Sequence, residues 1–572
     1  MKFQYPQTLC RKMFQLTFSI LLNFYVGVIS TNGNTPFIQT QLGGVTGTYR
    51  HSLNGRQYEA YEGIPYAVPP VQQRRFEPPI PIKKWAGNIT ATSPAAACIQ
   101  YEHLPHNWVQ DRVTGEEDCL YLNIYVPVKA KSLPVLFVIH GGAFQFSKAP
   151  TETHFLMDRD VIVVSISYRL SMFGFLSTED SVIPGNMGLK DQNLALRWVY
   201  DNIEYFKGDP KKITLIGVSA GAASVHYHYL SPMSKGLFQN GISFSGTAFG
   251  PGKHAENSLE KAKKLASILG CHTTKISDMI KCLKSKPARS VVNATSQFMP
   301  WLYNPFTPFG PVIETSGDKQ FINRSAIDIV NSGDAYDVPW ITSFCSEDGL
   351  YPAADFINDD QLLNDLNNNW NTIAPHLLDY NFTIPLKDHA NVSSKIRNYY
   401  FGSKTIGKDT IKELVDVVGD RLYKFNAYKA ARLQAAKNKS PVLFMYYNYR
   451  AFTSLSDFYS NSTTNYGVSH GDDFYMLFDN GFIDTSKRSE DQVMRNKLLD
   501  YVVSVATDGF PGLGLEFEWK KVDPTKEDLD YLCVRGPTNI KMESNNYIEQ
   551  RKFWSTIDFD ENKLCSETCF VC

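Results

Sequence analysis

Short continuous apolar runs recur along the chain at Val135–Ile139, Val161–Ile166, Ile213–Ile216, Trp340–Phe344 and Val442–Tyr447. Runs of this length, rich in β-branched and aromatic residues, predict strands buried on both faces. Helical patterns lie between them. The clearest is "DQNLALRWVYDNIEYF", where Ala195, Val199, Ile203 and Phe206 recur at spacings of four, four and three and so share one helix face. The pattern stops at "KGDP", a glycine followed by a proline. Buried strands alternating with helices predict an α/β protein with a large, mostly parallel central sheet and helices on both faces. A more polar stretch from about Gly250 to Asp337 reads as an insertion of loops and helices. There is no internal repeat and no low-complexity linker, so one large domain is expected.

The first residues follow a different pattern. Lys2, Arg11 and Lys12 flank an apolar run from Met13 to Ile29, and Ser30, Thr31 and Gly33 follow. This predicts a secretory signal peptide cleaved near Ser30 or a few residues later, with a retained signal anchor as the alternative. The expected division is residues 1–30 as signal, 31–560 as the domain and 561–572 as a cysteine-containing tail. The tail, "CSETCFVC", resembles neither a retention signal nor a lipid-anchor signal, and no stable membrane anchor is expected. The formal net charge is -1, without long runs of one sign, which gives no footing for nucleic acid or an anionic membrane. The sequons at Asn88, Asn293, Asn323, Asn381, Asn391 and Asn461 are candidate glycosylation sites, and Asn438 is a weaker one because Pro441 follows its serine. Ten cysteines less Cys10 leave nine, an odd count that predicts one unpaired thiol; Cys345, in the apolar "VPWITSFC", is the candidate. Pairing is not readable from spacing, although Cys98/Cys119 and Cys271/Cys282 would enclose short loops.

Candidate chemistry centres on "ITLIGVSAGAASVHYHYLSP". The apolar Ile213–Ile216 precedes Gly217-Val218-Ser219-Ala220-Gly221, and an alanine-rich stretch without proline follows. Strand, sharp turn and helix are the setting in which G-x-S-x-G presents a nucleophilic serine. Val135–Ile139 leads into His140-Gly141-Gly142-Ala143-Phe144, a loop able to aim backbone N–H groups at an oxyanion. A serine nucleophile needs a base. His226 and His228 stand on the serine's own helix, two residues apart and so on different faces. That spacing disfavours a metal pair and makes them packing or surface residues. His140 reads as shaping the glycine loop. His470, in "YGVSHGDDFYMLF", lies late and in a loop, as the chain order Ser…acid…His requires. "VPWITSFCSEDGLYP" offers Glu347 and Asp348 as the acid just after a strand. Neighbouring side chains there point in opposite directions, so only one can face the histidine.

Several long, ordered segments go further: "YEGIPYAVPP", "EEDCLYLNIYVP", "VIHGGAFQF", "SYRLSMFGFLSTED", "PGNMGLKDQNLALRWVYDNIEYFKGDPKKITLIGVSAGAAS", "SEDGLYP" and "GVSHGDDF". With them the chain resembles the type-B carboxylesterase/cholinesterase family of the α/β-hydrolase fold from about Gly44 to about Phe553, most finely its secreted insect members. The resemblance implies Ser219 as nucleophile, His470 as base and an oxyanion hole built from the N–H groups of Gly142, Ala143 and Ala220. It implies disulfides Cys98–Cys119 and Cys271–Cys282. The acid position directly before glycine is Asp348 here, where the family usually has glutamate.

Cholinesterases carry glutamate before the nucleophile, where this chain has Val218. A cationic ester then lacks a favourable neighbour. Trp108 is a candidate cation-binding aromatic. The expected function is a secreted serine carboxylic-ester hydrolase acting on neutral small-molecule esters through an acyl-enzyme, with no cofactor and no metal. A hormone- or pheromone-ester hydrolase is possible within that expectation. A cholinesterase and an inactive adhesion-type relative are the rivals, and the complete triad argues against the latter. Oligomeric state is not readable from the sequence.

Overall fold

A computed structural model describes residues 35–104, 111–252, 257–317, 319–512, 515, 517–545 and 548–559. The predicted signal segment, Trp108 and the cysteines of the C-terminal tail lie outside them. Eleven strands form one sheet: β1 (Thr48–His51), β2 (Gln57–Pro65), β3 (Tyr121–Pro127), β4 (Leu133–Ile139), β5 (Ile162–Ile166), β6 (Gly208–Val218), β7 (Asn240–Phe244), β8 (Trp340–Cys345), β9 (Val442–Tyr447), β10 (Leu529–Gly536) and β11 (Asn539–Asn545). Their spatial order is β11-β10-β9-β8-β7-β6-β4-β5-β3-β2-β1. The seven strands from β10 to β5 run parallel, and the remaining pairs at both ends are antiparallel.

All five predicted runs are strands of the parallel centre. Each is mostly apolar because both faces are covered, and the few polar residues in them, Ser165, Thr214, Thr342 and Ser343, are buried too. In β4, Val135, Phe137 and Ile139 join one core and Leu136 and Val138 the other. In β9, Val442 and Phe444 join the first, and Leu443, Met445 and Tyr447 the second. The two-residue period of a strand sorts neighbouring side chains to opposite faces.

Five helices cover the sheet or border the serine turn and the loops around it: α1 (Met187–Asn202), α2 (Ala220–Leu230), α3 (Ile411–Gly419), α4 (Phe425–Lys437) and α5 (Ser489–Asp508). Residues of α1, α2 and α4 pack into the first core, and Met494, Leu498, Leu499, Val502 and Val505 of α5 into the second. Ala195 and Val199 lie on the buried face of α1, with Ile203 and Phe206 continuing it in a tighter turn beyond the helix. The polar stretch after β7 is an insertion, carrying the helices Ser258–Ile268, Ile276–Ser285, Ala288–Asn293 and Ala326–Ser332 before β8. A third apolar cluster includes Leu104, Ala143, Tyr303, Phe306, Tyr351 and Tyr423.

Cys98 is bonded to Cys119 and Cys271 to Cys282. Cys345 is buried and has no disulfide partner among the described residues. Cys533, in β10, is also buried and has no disulfide partner among the described residues. No helix of the described residues is long and apolar enough to cross a membrane.

Candidate active site

Ser219 stands between the last residue of β6 and the first of α2, with φ 59° and ψ -120°. A non-glycine residue in such a conformation costs on the order of 1–3 kcal/mol and persists only when its surroundings over-determine it. Here the Ser219 N–H donates to the Phe244 carbonyl at 2.8 Å, and the Ser219 carbonyl accepts from the Ala223 N–H at 2.9 Å. The flanking glycines are required by close approach. A Cβ on Gly217 would lie 2.5 Å from the Gly221 backbone, and one on Gly221 would strike the Ile139 carbonyl. Gly221 thus lets the start of α2 press against the end of β4. Gly221→Ala is expected to destabilise the protein by about 1–3 kcal/mol, the usual cost of overpacking, readable as a lower denaturant midpoint with unchanged slope.

The loop after β4 passes over this turn. The Cβ position of Gly141 lies 3.1 Å from Cβ of Ser219 and 2.8 Å from the Val218 carbonyl, so nothing larger fits. Gly142, Ala143 and Phe144 have φ of +95°, +52° and +61°. Three successive residues thus hold positive φ, and two of the three lack glycine's freedom. Among the described residues the N–H groups of Gly142, Ala143 and Ala220 donate to no protein acceptor. His140 is buried beneath the loop. Its Nδ1 donates to the Gly141 carbonyl at 2.8 Å, and its ring stacks on Tyr168 at 4.4 Å. Burial pushes its pKa down to about 4, so it is a neutral strut of the loop.

Asp348 and His470 meet across 122 residues of sequence. Asp348 follows β8 and is fully buried. Its Oδ2 accepts the Cys345 N–H at 3.1 Å, and its Oδ1 lies 3.0 Å from Nδ1 of His470. Glu347 points elsewhere. Its Oε2 accepts the Val468 N–H at 2.8 Å while its own N–H donates to the Val468 carbonyl at 3.1 Å. It therefore staples the histidine's loop to the end of β8. Nε2 of His470 is buried without a hydrogen-bond partner among the described residues, and no hydrogen bond joins it to Ser219 Oγ.

Two further acids support this loop, and sequence reasoning passes over both although "HGDDF" displays them. Asp472 accepts the N–H groups of Ser469 and Leu455, each at 2.9 Å. Asp473 accepts a hydrogen bond from Ser343 Oγ at 3.2 Å, tying the loop to β8. Burial raises Asp472 to about 6, and burial with the neighbouring Asp348 charge raises Asp473 to about 7. Tyr351 and Tyr423, also missed, place their rings against the imidazole at 5.7 Å and 4.3 Å. No local pattern marks them, because their elements reach the histidine only through the fold.

His226 and His228 are fully buried, which settles the packing-or-surface alternative in favour of packing. His226 accepts the Ala248 N–H on Nδ1 and donates from Nε2 to Gln434 Oε1, with its ring on Trp340. His228 Nδ1 meets Ser234 Oγ at 2.7 Å. No cluster of metal-ligating side chains exists among the described residues. A cavity of about 360 Å³ opens beside His140, Gly141 and Val218, and its walls combine Phe474 and Tyr475 with the carboxylates of Glu152 and Asp479.

The sequence profile of the carboxylesterase family matches residues 34–554. The chain is 49% identical to venom carboxylesterase-6 of Apis mellifera over 558 residues, covering 96% of this chain and 100% of that protein. It is 38% identical to esterase FE4 of Myzus persicae, covering 90% of this chain and 92% of that protein. Among solved structures it is similar to juvenile hormone esterase from Manduca sexta, with a TM-score of 0.80 at 23% identity, covering 91% and 99% of the two chains. That last likeness concerns the fold.

Proposed function

The chain belongs to the carboxylesterase family and has the α/β-hydrolase fold, and on that premise we propose that Ser219, His470 and Asp348 are the catalytic triad of an enzyme hydrolysing neutral carboxylic esters. The supporting observation is the state of His470: Nδ1 rests on a buried carboxylate while Nε2 has no hydrogen-bond partner among the described residues. That arrangement holds the proton on Nδ1 and leaves a lone pair on Nε2, as a general base requires.

In this mechanism Nε2 of His470 takes the proton of Ser219 Oγ as the oxygen attacks the ester carbonyl. The N–H groups of Gly142, Ala143 and Ala220 bind the oxyanion of the tetrahedral intermediate. Their fixed positions mean that no reorganisation is needed as charge develops. His470 then gives its proton to the departing alcohol oxygen, leaving an acyl-Ser219. Water, deprotonated by the same Nε2, releases the acid and restores the serine. Asp348 keeps the imidazole in the useful tautomer and stabilises the imidazolium in both halves.

Neutral substrates are favoured because the residue directly before Ser219 is Val218, so the serine turn itself brings no carboxylate to a cationic ester. Hydrolysis rates over an acyl-chain series, with a choline ester and a juvenile-hormone-type ester included, test this. The expected order places neutral esters well ahead of the choline ester, and a preference for choline would refute the neutral reading.

Residues 31–560 act as one domain in this reading, the protein is exported by its N-terminal signal, and glycans cover exposed sequons. Asn88, Asn293, Asn323, Asn391 and Asn461 are exposed and Asn381 is half-buried. Nδ2 of Asn438, the atom that would carry a sugar, is buried. Peptide mapping of the exported protein after enzymatic deglycosylation should find label at the five exposed asparagines and none at Asn438. Full occupancy of Asn438 would contradict this placement.

A further inference from the structure

A hydrogen bond from Nδ1 to one carboxylate oxygen fixes the position of an imidazole better than its tilt, because carbonyl-type acceptors tolerate a broad range of donor directions. Something else must hold the ring plane of His470. The helix from Ile411 to Lys437 is α-helical at both ends but π-helical over Asp420–Lys424, between α3 and α4. Such turns hold an extra residue and recur at functional sites. This one carries Tyr423, whose ring centroid lies 4.3 Å from that of His470 with the planes 33° apart. Tyr423 is itself held, because its hydroxyl donates to the Tyr351 carbonyl at 3.0 Å. The Tyr351 ring lies near parallel to the imidazole, 13° apart at 5.7 Å. The same helix also meets the acid's loop. A Cβ on Gly349, next to Asp348, would strike the Val415 carbonyl and lie 2.5 Å from the Gly419 nitrogen. One rigid body thus touches both the histidine ring and the loop of its carboxylate.

We propose that Tyr423 is a positioning residue for His470: the π-helical turn delivers its ring onto the imidazole and restricts the tilt of the base while Nδ1 stays on Asp348. The proposal rests on His470 being the catalytic base. A histidine free to tilt loses alignment in both proton transfers without weakening substrate binding. The effect therefore falls on kcat and not on KM.

The test is a set of variants in the full chain, each checked for a cooperative thermal transition: Tyr423→Met, Tyr423→Phe and His470→Gln. Tyr423→Met keeps an apolar, though smaller, side chain but removes the planar face, and is expected to lower kcat on the order of 10- to 100-fold, the scale of a small misplacement of a catalytic group. KM should stay within about threefold, and inactivation by an organophosphate should slow in step with kcat. Tyr423→Phe retains the ring and is expected to recover kcat to within about threefold. Tyr423→Leu asks the same question should the methionine variant fail to fold. Wild-type kcat in Tyr423→Met, or a loss confined to KM, overturns the proposal. Near-normal turnover by His470→Gln would instead overturn the assignment of the base. An inactive His470→Gln beside an unaffected Tyr423→Met would sink the positioning role alone.

Discussion

Ser219→Ala is expected to abolish ester turnover and organophosphate labelling while leaving the protein folded. Loss of the serine in the best-studied protease triad costs about 10⁶ in kcat, and what remains comes from the oxyanion hole and binding. The fold should survive because the strained turn is held by backbone contacts. The Ser219 N–H reaches Phe244 and its carbonyl receives Ala223, and neither bond uses the hydroxyl. Alanine meets the same φ of 59° as serine. Stoichiometric labelling of a folded alanine variant would remove Ser219 as the nucleophile.

Asp348→Asn is expected to lower kcat on the order of 10⁴, as the matching change does in the protease template. The reason lies in the partners of the two oxygens. Oδ2 accepts a backbone N–H, from Cys345, which can only donate. An asparagine must therefore keep its oxygen there and turn its NH₂ toward Nδ1 of His470. Nδ1 then has to accept, the proton moves to Nε2, and Nε2 can no longer take a proton from the serine. Glu347→Gln should be mild, because Oε2 of Glu347 serves as an acceptor for the Val468 N–H and a glutamine oxygen can do the same. Comparing kcat of the two variants at one pH decides the matter. The reverse order would move the acid to Glu347, and normal rates in both would remove it from this loop.

The part of the fold most legible in the sequence is the part whose pattern is local. The five runs are legible as strands because a strand buried on both faces is left with few polar positions to disguise it. The antiparallel ends of the sheet carry no such signal. β2, "QYEAYEGIP", mixes buried and polar positions. Within the parallel centre, the start of β6 is hidden in the charged "GDPKK" before its register settles at Ile213. The serine turn and the glycine loop are legible for the same local reason as the runs. Each is a strand end followed by small residues, and backbone geometry demands glycine where a neighbouring backbone passes close.

Tyr351, Tyr423, Asp472 and Asp473 are not legible as parts of this site. Their contribution depends on which elements the fold brings together, and no spacing encodes it. Glu347 and Asp348 show the division in its sharpest form. By itself the sequence determined that a strand ends there with two adjacent carboxylates, and that alternation sends them to different sides. Which side meets His470 was decided only in the tertiary structure. It depends on a contact between residues 122 apart in sequence, on a Cys345 N–H turned to receive one carboxylate and on a Val468 N–H turned to receive the other. A side chain's direction at a strand end follows from the turn it enters, and its partner follows from the packing of distant loops.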